Sequence, residues 1–121
     1  MKRLTPKEEE IMNFLWEKGP LFVRQIMELY PEPRPHVNTV STTIRILEEK
    51  GYVGHQQFGN SYQYHAAVSA EVFKRTTLKQ VISKYFNNSY LRAVSSLVEE
   101  EEISVDELKA LIRQVEENKK A

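Results

Sequence analysis

Apolar side chains recur at three- and four-residue intervals in two stretches near the start of the chain: Ile11, Met12, Leu15 and Trp16, then Val23, Ile26, Met27 and Tyr30. Each set lines one face of a helix. The first predicted helix opens on Thr5, Pro6 and Glu8, an N-cap hydroxyl, a first-turn proline and a capping-box carboxylate, and Gly19-Pro20 ends it. The second, shorter helix runs out at Pro31-Glu32-Pro33-Arg34-Pro35, where three prolines in five residues make a stiff connector.

The third element, HVNTVSTTIRILEEKGYV (36–53), contains Thr39, Val40, Thr42, Thr43 and Ile44, β-branched residues that favour strands. Spacing decides for a helix: Val37, Val40, Ile44 and Leu47 fall three, four and three apart, one helical face but both faces of a strand. Gly51 is the expected terminator, after Lys50 as a cation suited to the helix's negative end. A hairpin follows, Tyr52 to Phe58 and Ser61 to His65 around a Gly59-Asn60 turn, with Tyr62 and Tyr64 on one face. Three helices and then a hairpin spell a winged helix-turn-helix.

From Ser69 the pattern is helical throughout. Val72, Leu78, Val81, Ile82 and Tyr85 mark one segment, which Asn87-Asn88-Ser89 interrupts; Leu91, Val94, Leu97 and Val98 mark a second. After the acidic run Glu99 to Glu102, Ser104 and Glu107 form a capping pattern for a third, with a stripe of Val105, Leu108, Leu111, Ile112 and Val115. The expected fold is therefore mainly α with a small β-hairpin, a winged helix-turn-helix over 1–68 and a helical dimerisation region over 69–121. Short amphipathic helices enclose little core alone, so Val81, Tyr85, Leu91, Val94, Leu97, Leu108, Leu111, Ile112 and Val115 are expected to pair with a second copy as a homodimer.

Composition narrows the function classes. With no cysteine there is no disulfide, thiolate metal site or cysteine nucleophile. The absence of a signal-like start and of a long apolar run points to a cytoplasmic protein without direct membrane insertion. The 17 Lys and Arg balance 17 Asp and Glu, eight against eight before Val68 and nine against nine after it, so any nucleic-acid surface must be a local patch.

One such patch exists. From Pro33 to Leu47 there is no acidic residue, and Arg34 and Arg45 accompany Asn38, Thr39, Ser41 and Thr42. At about 100° per residue, Asn38, Thr39, Thr42 and Arg45 lie opposite the apolar stripe, with Ser41 at its edge. The DNA major groove is about 12 Å wide and admits one helix; arginine pairs bidentately with guanine, asparagine with adenine, and threonine offers a hydroxyl or a methyl. Arg45 is the first candidate for base readout, Arg34 for phosphate, and Gln57 and Asn60 for wing contacts. A merely solvated face usually fills with Glu and Lys, whereas this one uses hydroxyls. The other reading is a winged-helix protein-interaction module without specific DNA binding, since one scaffold serves both.

The segments LTPKEEEIMNFLWEKG, HVNTVSTTIRILEEKGYV and YQYHAAVSAEVF, in that order and spacing, resemble the penicillinase and methicillin-resistance repressors, the BlaI/MecI family, over nearly the whole chain. The resemblance implies a homodimeric repressor of double-stranded dyad operators, released by C-terminal proteolysis under a membrane-bound sensor protease. The family's Asn-Phe scissile pair falls at Ser96-Leu97 here. The related copper-responsive CopY branch ends in paired Cys-x-Cys motifs, which this chain lacks. Family wings tend to carry arginine or lysine near the turn; Gln56, Gln57, Asn60 and Gln63 stand here instead, which implies a phosphate grip that is weaker or more dependent on neutral hydrogen bonds. Tyr52, Phe58, Tyr62 and Tyr64 read as core and wing packing rather than base-stacking groups.

Enzymatic and metal chemistry find little footing. No glycine-rich phosphate loop or serine elbow occurs, and no cofactor is implied. The histidines are His36, His55 and His65; a two-residue turn sets His55 opposite Tyr64 and points His65 to the other face, so no metal is expected. The Glu99 to Glu102 run reads as a solvated helix end.

Overall fold

The structure, a computed structural model, describes residues 2–120, with side chains through Lys119; Met1 and Ala121, the outer limits of the two expected regions, lie outside the described residues. The chain divides into two compact units, one reaching to Thr76 and the other starting at Thr77. The elements are α1 (Pro6–Lys18), β1 (Leu21–Phe22), α2 (Val23–Leu29), α3 (Val37–Glu49), β2 (Val53–Phe58), β3 (Ser61–Ala66), α4 (Ala70–Tyr85), α5 (Tyr90–Glu99) and α6 (Val105–Lys120).

The capping box forms as its residues predict. The Thr5 N–H donates to Oε1 of Glu8 at 2.7 Å and the Glu8 N–H to Oγ1 of Thr5 at 3.3 Å, satisfying two otherwise orphaned donors. Lys50 has a different task from the one expected. Instead of attending to its own helix end, its ammonium reaches Oε1 of Glu8 at 2.7 Å and the Arg3 carbonyl at 3.0 Å, binding the end of α3 to the start of α1. Burial alone would raise the Glu8 pKa; the Lys50 and Thr5 hydrogen bonds outweigh it and hold the carboxyl below its ordinary 4.5. Gly51, at φ +84°, lets α3 end, its N–H donating to the Glu48 carbonyl and that of Tyr52 to Leu47.

The hairpin has the expected register, His55 opposite Tyr64 and Phe58 opposite Ser61 across the Gly59-Asn60 turn, with Gly59 at φ +60°. It also gains a strand the sequence did not announce. Leu21 pairs with Tyr64 and Phe22 with Gln63, making a three-stranded antiparallel sheet in the order β1-β3-β2. Helices and sheet enclose Ile11, Met12, Leu15, Leu21, Ile26, Val40, Ile44, Leu47, Tyr52 and Val53, each large side chain contributing about 1.5–3 kcal/mol by burial. The Tyr52 hydroxyl donates to the Lys2 carbonyl, and the Trp16 Nε1–H donates to the Val68 carbonyl at 2.9 Å.

In the second unit α4 ends at Tyr85, and the turn after it holds Asn87 and Asn88, both at positive φ, a conformation asparagine tolerates better than most residues. Ser89 caps α5 by accepting from the Arg92 N–H, and Ser104 and Glu107 exchange the two bonds of a capping box at α6. Among the described residues of this unit only Ile82 is a buried apolar side chain. No helix among the described residues is long and apolar enough to cross a membrane.

Candidate nucleic-acid interface

α3 starts at an unusual cap: Nδ1 of His36 accepts from the Asn38 N–H at 3.1 Å, taking the place of the usual hydroxyl or carboxylate. Val40, Ile44 and Leu47 anchor its inner side, each 2% exposed or less. Val37, expected in that stripe, is instead 45% exposed. It is the first residue of the helix, and helical side chains lean toward the N-terminus, so it overhangs the loop end instead of reaching the core.

The outer side presents Asn38, Thr39, Thr42 and Arg45 to solvent, with Ser41 half-buried. Ile46, which the sequence reading passed over, is exposed beside them and adds a methyl-bearing surface; its 100° offset from Arg45 is the signal that could have found it. Thr43 is half-buried and donates its hydroxyl to the Thr39 carbonyl at 2.8 Å, so it is already spent on the helix. Among the described residues Arg45 makes no hydrogen bond or ion pair. Arg34 differs: its Nε donates to the Tyr30 carbonyl at 3.2 Å and stands 3.6 Å from Glu32, which dilutes its charge.

The wing is joined to α3 by Glu48 and His55, whose Oε2 and Nδ1 are in direct contact. The His55 ring stacks on Tyr62 at 4.4 Å and meets Tyr64 at 5.8 Å. Burial, with Glu48 nearby, pushes the Tyr64 phenol above its ordinary 10.0 while Arg45 works the other way; Tyr64 therefore stays a neutral donor, flanked by charges from α3. At the turn, Gln57 donates its Nε2 to the Gly59 carbonyl at 3.0 Å, an internal bond that fixes the loop, and Asn60 is exposed. Tyr52 is core; Phe58 packs edge-on against Phe22 at 6.0 Å. The aromatic residues thus pack core and wing. Among the described residues no three His, Asp or Glu side chains converge to hold a metal ion.

The profile of the penicillinase repressor family matches residues 4–117. Relatives include the methicillin resistance regulatory protein MecI of Mammaliicoccus sciuri, 28% identical over 109 residues, which cover 89% of each chain. The penicillinase repressor of Bacillus licheniformis is 20% identical over 118 residues, 97% of this chain and 92% of its own. A transcriptional regulator from Thermotoga maritima of known structure aligns over 97% of this chain and 80% of its own at 20% identity, with a TM-score of 0.48. With its winged fold and a family match over almost its entire length, this chain belongs to the penicillinase repressor family of DNA-binding transcription regulators, which are not enzymes.

Proposed function

We propose that the protein is a sequence-specific cytoplasmic repressor that binds dyad operators as a homodimer. Asn38, Thr39, Thr42 and Arg45 read base edges from α3; Arg34, Ser41, Gln57 and Asn60 set position on the backbone. The observation that carries this reading is the outer face of α3: exposed short polar side chains around an uncommitted Arg45 guanidinium, in a stretch free of carboxylates from Pro33 to Leu47. The tail supplies the pairing surface, since Leu78, Val81, Tyr85, Leu91, Leu97, Leu111, Ile112 and Val115 lie exposed in the single chain. Selection of bound sequences from random duplexes tests the reading directly. Recovery of a two-fold symmetric motif is the expected outcome, and recovery of no motif points to a protein-interaction module.

By likeness to the family, repression ends when a membrane-bound sensor protease triggers a cut near Ser96-Leu97. Leu97 is exposed on α5, a ten-residue helix with no buried residue, so opening it to an extended, cleavable form costs little.

A further inference from the structure

The wing leaves an electrostatic gap. From Val53 to Ala66 it holds no lysine or arginine, yet neutralising phosphates supplies nearly all the affinity of non-specific DNA binding and a large share of specific binding. The structure brings a cation to the wing from elsewhere in the fold. A cleft of about 560 Å³ opens between the β1–α2 junction and the hairpin, lined by Phe22, Val23, Arg24, Phe58, Ser61, Tyr62 and Tyr64. Phe22 and Phe58 meet within it, and Arg24 is exposed and makes no hydrogen bond or ion pair among the described residues. None of the lining residues carries a carboxylate, and Arg24, Ser61, Tyr62 and Tyr64 each carry a side chain able to donate. Such a set complements an anion with several acceptor oxygens.

Tyr64 fixes the cleft's place on the molecule. It lines the cleft, and its ring meets that of His55 at 5.8 Å, which in turn contacts Glu48 of α3, one helical turn from Arg45. The cleft therefore adjoins the helix face assigned to base readout. A duplex that takes α3 into its major groove has its phosphates along the groove's walls, beside the wing. We propose that this cleft is a DNA phosphodiester subsite in which Arg24 replaces the missing wing cation and the Ser61 and Tyr62 hydroxyls complete the contact. The proposal rests on the DNA-binding reading above. Arg24 is a positioning contact: it adds affinity without sequence preference.

The test measures affinity against monovalent salt concentration for the intact protein, with a duplex selected by the wild type and with a random duplex. Arg24→Gln is expected to lower the magnitude of the log–log slope by about 0.9 per protomer. It should weaken selected and random duplexes alike, about fivefold per protomer at ~0.15 M salt. Arg24→Lys should restore most of the slope, and unchanged thermal unfolding of both variants shows that an exposed side chain was altered without harm to the fold. A wild-type slope fully retained in Arg24→Gln overturns the subsite while leaving the DNA reading intact. So does a loss confined to the selected duplex, which makes Arg24 a base reader. A wild type without salt-dependent DNA binding overturns both readings.

Discussion

Lys50 lies 42 positions after Glu8 in the chain, yet its ammonium sits 2.7 Å from the Glu8 carboxylate that closes the first helix's capping box. One carboxylate thus serves as a local cap and as the tie between α1 and α3, the helix proposed to read DNA. The two partners are unequally buried: the Glu8 side chain is 4% exposed and that of Lys50 20%.

That asymmetry sets the first prediction. Glu8→Gln keeps an acceptor for the Thr5 N–H but loses the charge pair, a loss of about 2 kcal/mol. Lys50→Met leaves the more buried carboxylate unpaired and is expected to cost more, about 3–5 kcal/mol. Because the folded-state pKa of Glu8 lies below the ordinary 4.5, its stabilisation is complete above that value and is lost as pH falls through the depressed one. Thermal unfolding from pH 7 down to 3 should show a steeper acid decline for the wild type than for Glu8→Gln. Parallel curves would remove Glu8 as the source of that decline.

For the readout face, Arg45→Ala is expected to cost about 1–3 kcal/mol and to relax preference at one base pair in each half-site. Arg34→Ala should weaken all sequences alike, and modestly, because Glu32 and the Tyr30 carbonyl already occupy part of its guanidinium. Selections repeated with each variant measure both effects. An unaltered motif with Arg45→Ala would place the readout elsewhere on α3.

Much of this organisation is legible in the sequence wherever the determinant is local. Thr5, Pro6 and Glu8 announce α1, the three-four-three spacing from Val37 to Leu47 announces α3 and its outer face, and Gly59-Asn60 sets the register of His55 against Tyr64. What stays hidden depends on partners distant in the chain. Leu21-Phe22 is too short to show a period and becomes a strand only because Tyr64 and Gln63 pair with it. The partner of Lys50 and the neighbours of Arg24 come from other segments, so neither role follows from spacing. Val37 misleads for the opposite reason: it keeps the period of the stripe but stands where the helix projects beyond its core.

The tail separates folding from pairing. Leu111 is 53% exposed in the single chain, so Leu111→Asp should change the chain's own stability by no more than about 0.5 kcal/mol, the usual range for a surface substitution. Placed in a symmetric interface, the same aspartate becomes a buried unpaired charge twice over. Sedimentation at micromolar concentration should therefore give dimer for the wild type and monomer for Leu111→Asp, with helicity retained. Leu108 is half-buried, and Leu108→Asp is expected to disturb the chain as well as the dimer. A monomeric wild type would defeat the pairing surface altogether.

Cleavage near Ser96-Leu97 makes a distinct prediction about release. Cutting there severs the end of α5 and all of α6, taking Leu97, Leu108, Leu111, Ile112 and Val115 away from the proposed interface. Each winged unit would then hold its half-site alone and lose the advantage of linked binding, which can reach roughly 10²–10⁴ in affinity. The proposed scissile pair is Ser-Leu, so a protease acting there would have to accept a small polar residue followed by an aliphatic one. Mass analysis of the protein from cells under full derepression is expected to reveal a fragment ending at Ser96. An intact chain in those cells would exclude proteolysis and leave dissociation of the intact dimer or its displacement by a ligand. A protein truncated after Ser96 should bind the selected duplex weakly, and restored affinity on fusing an unrelated dimerisation helix to it would identify lost pairing, rather than damage to the winged unit, as the cause.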